Sequence, residues 1–87
     1  MYHVEFTSGA ARQLKKLPRD VQRRLAVAID GLEQEPRPQG VKRLSAEEGI
    51  YRIRVGDYRV LYQIHDKILV VLVVSVGDRK DIYRRRG

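Results

Sequence analysis

The chain has 87 residues, enough for one small domain (residues 1–87) that hides roughly 60–65% of its unfolded surface around one modest core. It has no cysteine, which excludes a disulfide framework and a thiolate metal site and fits a reducing cytosol. Eighteen Lys and Arg against eleven Asp and Glu leave a net charge of +7, a balance that points to a polyanionic partner, most often nucleic acid.

The charge is uneven. Residues 1–39 carry seven basic and five acidic side chains and residues 40–87 carry eleven and six, so an anion site is expected in the C-terminal half. The start, "MYHVEFTS", has neither a basic leader nor an apolar run of signal-peptide length. The longest apolar run, "ILVVLVVSV", is about half of what a membrane-spanning helix needs. The expectation is a cytoplasmic protein with no membrane partner.

In chain order, "YHVEFT" alternates apolar Tyr2, Val4 and Phe6 with His3 and Glu5, the period of a half-buried strand. Ser8 offers an N-cap for "GAARQLKKL", where Ala10, Leu14 and Leu17 share a helical face. Pro18 ends that helix and can open the next, in which Val21, Leu25, Ala28, Ile29 and Leu32 form an apolar stripe before "EPRPQG" stops it. "VKRLSAEEG" reads as an irregular connection with Glu47 and Glu48 solvated. A β-meander follows. Gly56-Asp57 suits a type II′ two-residue turn, Asp66-Lys67 a second tight turn, and "ILVVLVVSV" a central strand buried on both faces. The fold class is α+β, an N-terminal strand and helical hairpin packed on a mainly antiparallel C-terminal meander.

The first turn sets the pairs Val55–Tyr58, Arg54–Arg59, Ile53–Val60, Arg52–Leu61 and Tyr51–Tyr62. Paired residues share a face, so one face collects the apolar residues Tyr51, Ile53, Val55, Tyr58, Val60, Tyr62 and Ile64. The other collects Ile50, Arg52, Arg54, Arg59, Leu61 and Gln63, with Arg54 directly across from Arg59. Like charges so placed destabilise a sheet, a cost that a phosphate-bearing ligand removes. The second turn sets Arg59 opposite Val74 and Tyr58 opposite Ser75, so that the chain leaves the sheet near Val76-Gly77 and brings Arg79, Lys80 and Tyr83 to the arginines. His65 lies roughly 20 Å from Arg59 along its strand, at about 3.3 Å per residue. A histidine-based nuclease, a metal site, a Ser-His-Asp arrangement and a glycine-rich phosphate loop are therefore not expected.

In "KRL", "GIYRIRVGDYRVLYQI", "VVLVVSVGDRKDIY" and the closing tyrosine the chain resembles the RelE/ParE superfamily, the toxins of type II toxin–antitoxin pairs, over almost its whole length. RelE-like members cut mRNA in the ribosomal A site; ParE-like members poison DNA gyrase and lack the basic nuclease set. The resemblance implies a RelE-like fold and a metal-independent endoribonuclease without cofactor, in which Arg52, Arg54, Arg59, Arg79 and Tyr83 form the catalytic set. Arg52 and Arg54 stand where relatives often carry lysines, and a guanidinium cannot act as a base at ordinary pH. Lys80, Lys42, Arg43, Arg12, Lys15 and Lys16 are the candidate RNA-binding residues, toward mRNA and the ribosome. The apolar residues of the open face, Ile50, Leu61, Leu72 and Val74, mark a partner site. The resemblance makes that partner an acidic, RelB-like antitoxin. A gyrase inhibitor and a catalytically inactive nucleic-acid-binding relative are the alternatives.

Overall fold

The computed structural model describes residues 1–45 and 49–78. Glu47, Glu48, Arg79, Lys80 and Tyr83 lie outside the described residues. The elements run β1 (His3–Phe6), α1 (Ser8–Lys15), α2 (Arg19–Gly31), β2 (Lys42–Ser45), β3 (Ile50–Val55), β4 (Tyr58–His65) and β5 (Val70–Asp78).

Thr7, one residue before the expected Ser8, caps α1: its Oγ1 accepts from the Ala10 N–H at 3.1 Å. Pro18 is extended and precedes α2, whose Asp20 sits in the first turn, where the helix dipole favours a negative charge. Gln22 joins the two helices. Its amide donates to the carbonyls of Leu17 at 2.8 Å and Lys15 at 3.3 Å, groups that the end of α1 leaves without helical partners.

The five strands form one sheet in the order β1-β5-β4-β3-β2, with β1 parallel to β5 and every other pair antiparallel. Both helices cover one face, α1 against β5 and α2 against β3. Ala10, Val21, Leu25, Ile29 and Leu32 from the helical layer meet Ile53, Val60, Tyr62, Val71, Val73 and Val76 from the sheet in one core. The central place of the "ILVVLVVSV" segment is as expected, but its burial on both faces is not. Val71, Val73 and Val76 are buried while Leu72 and Val74 on the open face are half-buried. Ile68 and Leu69 precede the strand and are exposed.

The β3–β4 register is the expected one at all five pairs. Gly56 has φ +62 while Asp57 stays out of the left-handed region, the combination of a type II′ turn.

Two expectations need correction. The β4–β5 connection is a four-residue loop, Asp66 to Leu69, with His65 opposite Val70 and Leu69 at φ 55. A register shift between Leu61 and Tyr62 adds one more residue on β5, so Arg59 lies opposite Gly77 and Tyr58 opposite Asp78, not Val74 and Ser75. The segment read as irregular supplies β2, an edge strand whose Lys42 pairs with Arg52 and Arg43 with Tyr51.

At the end of the sheet away from the Gly56 turn, three segments meet. Arg37 grips Asp66 with two bonds, Nη1 to Oδ1 at 3.3 Å and Nη2 to Oδ2 at 2.9 Å, and the Tyr2 hydroxyl donates to Oδ1 at 2.6 Å. The Arg37 guanidinium also lies 5.4 Å from the Tyr51 ring centroid, and Tyr51 stacks on Tyr62. The buried Tyr62 hydroxyl donates to the Pro36 carbonyl at 2.7 Å, and burial pushes its phenol above the ordinary tyrosine range.

Tyr62→Phe leaves the Pro36 carbonyl without that donor and is expected to cost about 1–3 kcal/mol in chemical denaturation, with the fold retained. The bonds from Arg37 and Tyr2 hold the Asp66 carboxyl below its ordinary value of 3.8. A depressed carboxyl contributes stability that is present above 3.8 and lost as pH falls through its folded value. The melting temperatures of wild type and Asp66→Asn should therefore differ at pH 7 and converge as pH falls below 3.8.

Candidate functional site

The β3–β4 hairpin builds the site because its alternation sends Tyr51, Ile53, Val55, Tyr58, Val60, Tyr62 and Ile64 to the helices and every arginine to the open face, beside Ile50 and Leu61. Arg54 and Arg59 are cross-strand partners, with Cβ atoms about 4.5–5.5 Å apart in such a pair. Two residues further from the turn, Lys42, Arg52 and Leu61 form a row across β2, β3 and β4. Four cations from three strands thus share one face. Lys42, a candidate RNA contact, belongs to this cluster by its pairing with Arg52.

The three arginines differ in setting. Arg54 is exposed, Arg52 half-buried and Arg59 only 6% exposed. The Arg52 Nε is buried with no hydrogen-bond partner among the described residues. On the β5 side Gly77 lies opposite Arg59 and adds no side chain, so the row ends on an arginine. β5 finishes at Asp78 beside Tyr58 and the Gly56-Asp57 turn. The described chain therefore leaves the sheet at the expected end, although the pairs that bring it there are different ones.

The remaining RNA-binding candidates among the described residues lie on the helical side of the sheet. Arg43 is paired with Tyr51 and lies 6.0 Å from that ring centroid, on the helical side of the sheet and away from the arginine row. Arg12, Lys15 and Lys16 are exposed on and just after α1, in the helical layer. Lys15 lines a groove of about 510 Å³ between α1 and α2 with Arg19 and Arg23. This is a second basic surface, separate from the first. His65 and His3 are both exposed and both opposite Val70, far from Arg59. Among the described residues no three His, Asp or Glu side chains gather as metal ligands would.

The apolar open face is more closed than the sequence reading expects. Ile50 and Leu61 are 8% and 4% exposed and form a small second core with Val74. Leu61 has Arg52 across from it and Arg59 two residues before it, and long arginine stems cover apolar surface while their heads stay polar. Leu72 and Val74 remain half-buried.

A two-helix layer on a five-stranded mixed sheet, here with a row of guanidiniums on the open face, is a small toxin-type fold. A sequence profile described as "ParE toxin of type II toxin-antitoxin system, parDE" matches residues 4–83, and the chain belongs to that family. It is 39% identical over 85 residues to toxin RelG of Mycobacterium tuberculosis, covering 97% of this chain and 98% of the relative. It is 30% identical to the mRNA interferase toxin RelE of Escherichia coli K12, covering 94% and 90%. Among solved structures, the toxin–antitoxin complex RelBE2 from M. tuberculosis contains a chain that is 35% identical, with a TM-score of 0.79 over 90% of this chain and 98% of that one.

The Arg54–Arg59 repulsion generates a measurable consequence. Arg54→Gln should stabilise the free protein by a few tenths of a kcal/mol at low salt. Sulfate, which offsets the repulsion in the wild type, should raise the melting temperature of the wild type more than that of the variant.

Proposed function

We propose that this protein is the toxin of a type II toxin–antitoxin pair and a ribosome-dependent endoribonuclease that cuts mRNA in the A site. The cross-strand Arg54–Arg59 pair, with Arg52 and Lys42 on the same face, carries this reading. The E. coli relative bears the name mRNA interferase toxin, which supports it.

The chemistry follows from what guanidiniums do. The ribose 2′-OH attacks the neighbouring phosphorus in line, a pentavalent phosphorane gathers negative charge, and the bond to the leaving 5′-oxygen breaks. Arg52, Arg54 and Arg59 hold the phosphate and stabilise that charge as it grows. In this reading Arg79, next in sequence after the Asp78 that closes β5, serves the leaving oxygen, and Tyr83 stacks on a base. None of the arginines removes the 2′-OH proton, which passes to solvent water, and the departing 5′-oxygen takes up a proton in turn, leaving a 2′,3′-cyclic phosphate and a 5′-OH. The rate rests on charge stabilisation and on the ribosome holding the codon in attack geometry, which ties activity to translation and to the cytoplasm.

The partner in this reading is an acidic, RelB-like antitoxin that covers the open face, reaching Leu72 and Val74 and neutralising the arginine row. The M. tuberculosis neighbour, solved as a toxin–antitoxin complex, supports a partner of this kind. A gyrase-directed toxin is the second reading, favoured by the ParE description of the family profile.

A translating extract separates the two. Primer extension on translated messages should find cuts within codons, and Arg54→Glu and Arg59→Gln should each lower that cleavage by about 10²–10³-fold with far-UV circular dichroism unchanged. Intact messages together with inhibited DNA gyrase would establish the second reading in place of the first.

A further inference from the structure

The β2 ladder ends at the Lys42–Arg52 pair, while β3 continues through Ile53, Arg54 and Val55 with no strand on its outer side among the described residues. In a two-residue hairpin the residues flanking the turn form a hydrogen-bonded pair, and bonded and non-bonded pairs then alternate. Val55–Tyr58 and Ile53–Val60 therefore bond inward to β4, and the N–H and C=O of Arg54 face outward.

A cleft of about 360 Å³ lies there, lined by Ala28, Pro38, Gln39, Gly40, Ile53 and Arg54. Its apolar walls come from α2, Pro38 and Ile53. Its polar residues are Gln39 and Arg54, and Arg54 turns its peptide N–H and C=O toward this edge. The loop is held by a Val41 N–H to Pro38 carbonyl bond of 3.1 Å and turns at Gly40, where φ is +89. One helical turn before Ala28, Arg24 reaches the other end of the exposed edge, with its Nη1 3.7 Å from where a Cβ on Gly56 would stand.

Only three residues of β3 are open, and β2 and the 38–40 loop close one end, so there is no room to add a strand of useful length. The volume is near the lower end of small-molecule sites, about 300–1,000 Å³, which suits one flat ring system. Arg54 belongs both to this cleft and to the arginine row, so whatever enters is continuous with a bound phosphate.

We propose that the cleft beside Arg54 is a nucleobase subsite, taking the base of the RNA nucleotide next to the phosphate held by Arg54 and Arg59. Gln39 and the outward peptide groups of Arg54 read the hydrogen-bonding edge of that base, while Ala28, Pro38 and Ile53 enclose its ring. Arg24 receives the next phosphate along the strand, beside the Gly56 turn. The inference rests on the endoribonuclease reading above and adds to it the element that chooses where the message is cut.

The test is codon preference, read by primer extension on several translated messages for wild type, Gln39→Ala and Ala28→Met. Gln39→Ala should change the relative cleavage of codons differing at one base by about tenfold. Ala28→Met, which fills the cleft, should remove the same preference. Gln39 is exposed on a loop, so its variant decides the matter alone should Ala28→Met fail to fold. A Gln39→Ala profile identical to wild type overturns the subsite while leaving endonuclease activity in place. So does an unchanged profile with weakened binding of the antitoxin, which assigns the cleft to a protein partner. Wild-type protein that leaves every message whole overturns the parent reading, and the subsite with it.

Discussion

The two-residue turn at Gly56-Asp57 is the constraint on which the other features depend. With Gly56 in the left-handed region, β3 and β4 can pair in only one register, and that register separates the hairpin into two chemically opposite faces. On one face Ile53, Val60 and Tyr62 complete the core with α2. On the other the arginines are brought together against their mutual repulsion. A slip of one residue would bury guanidiniums among Leu25 and Ile29 and expose the tyrosines, so core energy holds the charged row in place.

The hairpin was legible from sequence because its turn, its alternation and its polarity all agree. The next connection was not. Asp66-Lys67 resembles a tight turn locally, but the chain uses four residues, with Leu69 in a conformation that its side chain disfavours and Arg37 holding Asp66 from 29 positions away. Nothing near Asp66 in the sequence announces that bond. The same holds for the extra residue in β5, where the pairing shifts between Val73 and Ser75, since a lone serine in an apolar strand does not announce a bulge. β2 escaped notice because an edge strand of four residues, three of them exposed in a row, lacks the half-buried pattern by which strands are recognised.

The candidate site divides in the same way. Arg52, Arg54 and Arg59 follow from local alternation, and the structure places all three on one face. Lys42 and Arg43 look equivalent as neighbours in "KRL", yet adjacent strand residues point to opposite sides, and only Lys42 joins the arginines. Tertiary approach supplies what no window of sequence contains. Arg24 comes to Gly56 from α2, and Gln39 comes to Arg54 from a loop 15 positions earlier. The open face is less greasy than its residue types suggest, because residue type gives no measure of how far arginine stems shield Leu61.

The parallel pairing of β1 with β5 has a bearing on biosynthesis. His3 finds its partner in Val70, so β1 has no place to dock until β5, more than sixty residues later, has been synthesised. An unfinished chain lacking β5 has lost an interior strand of its sheet, the one between β1 and β4. Such a fragment cannot assemble the hairpin onto a finished core, so only a chain that already includes β5 folds.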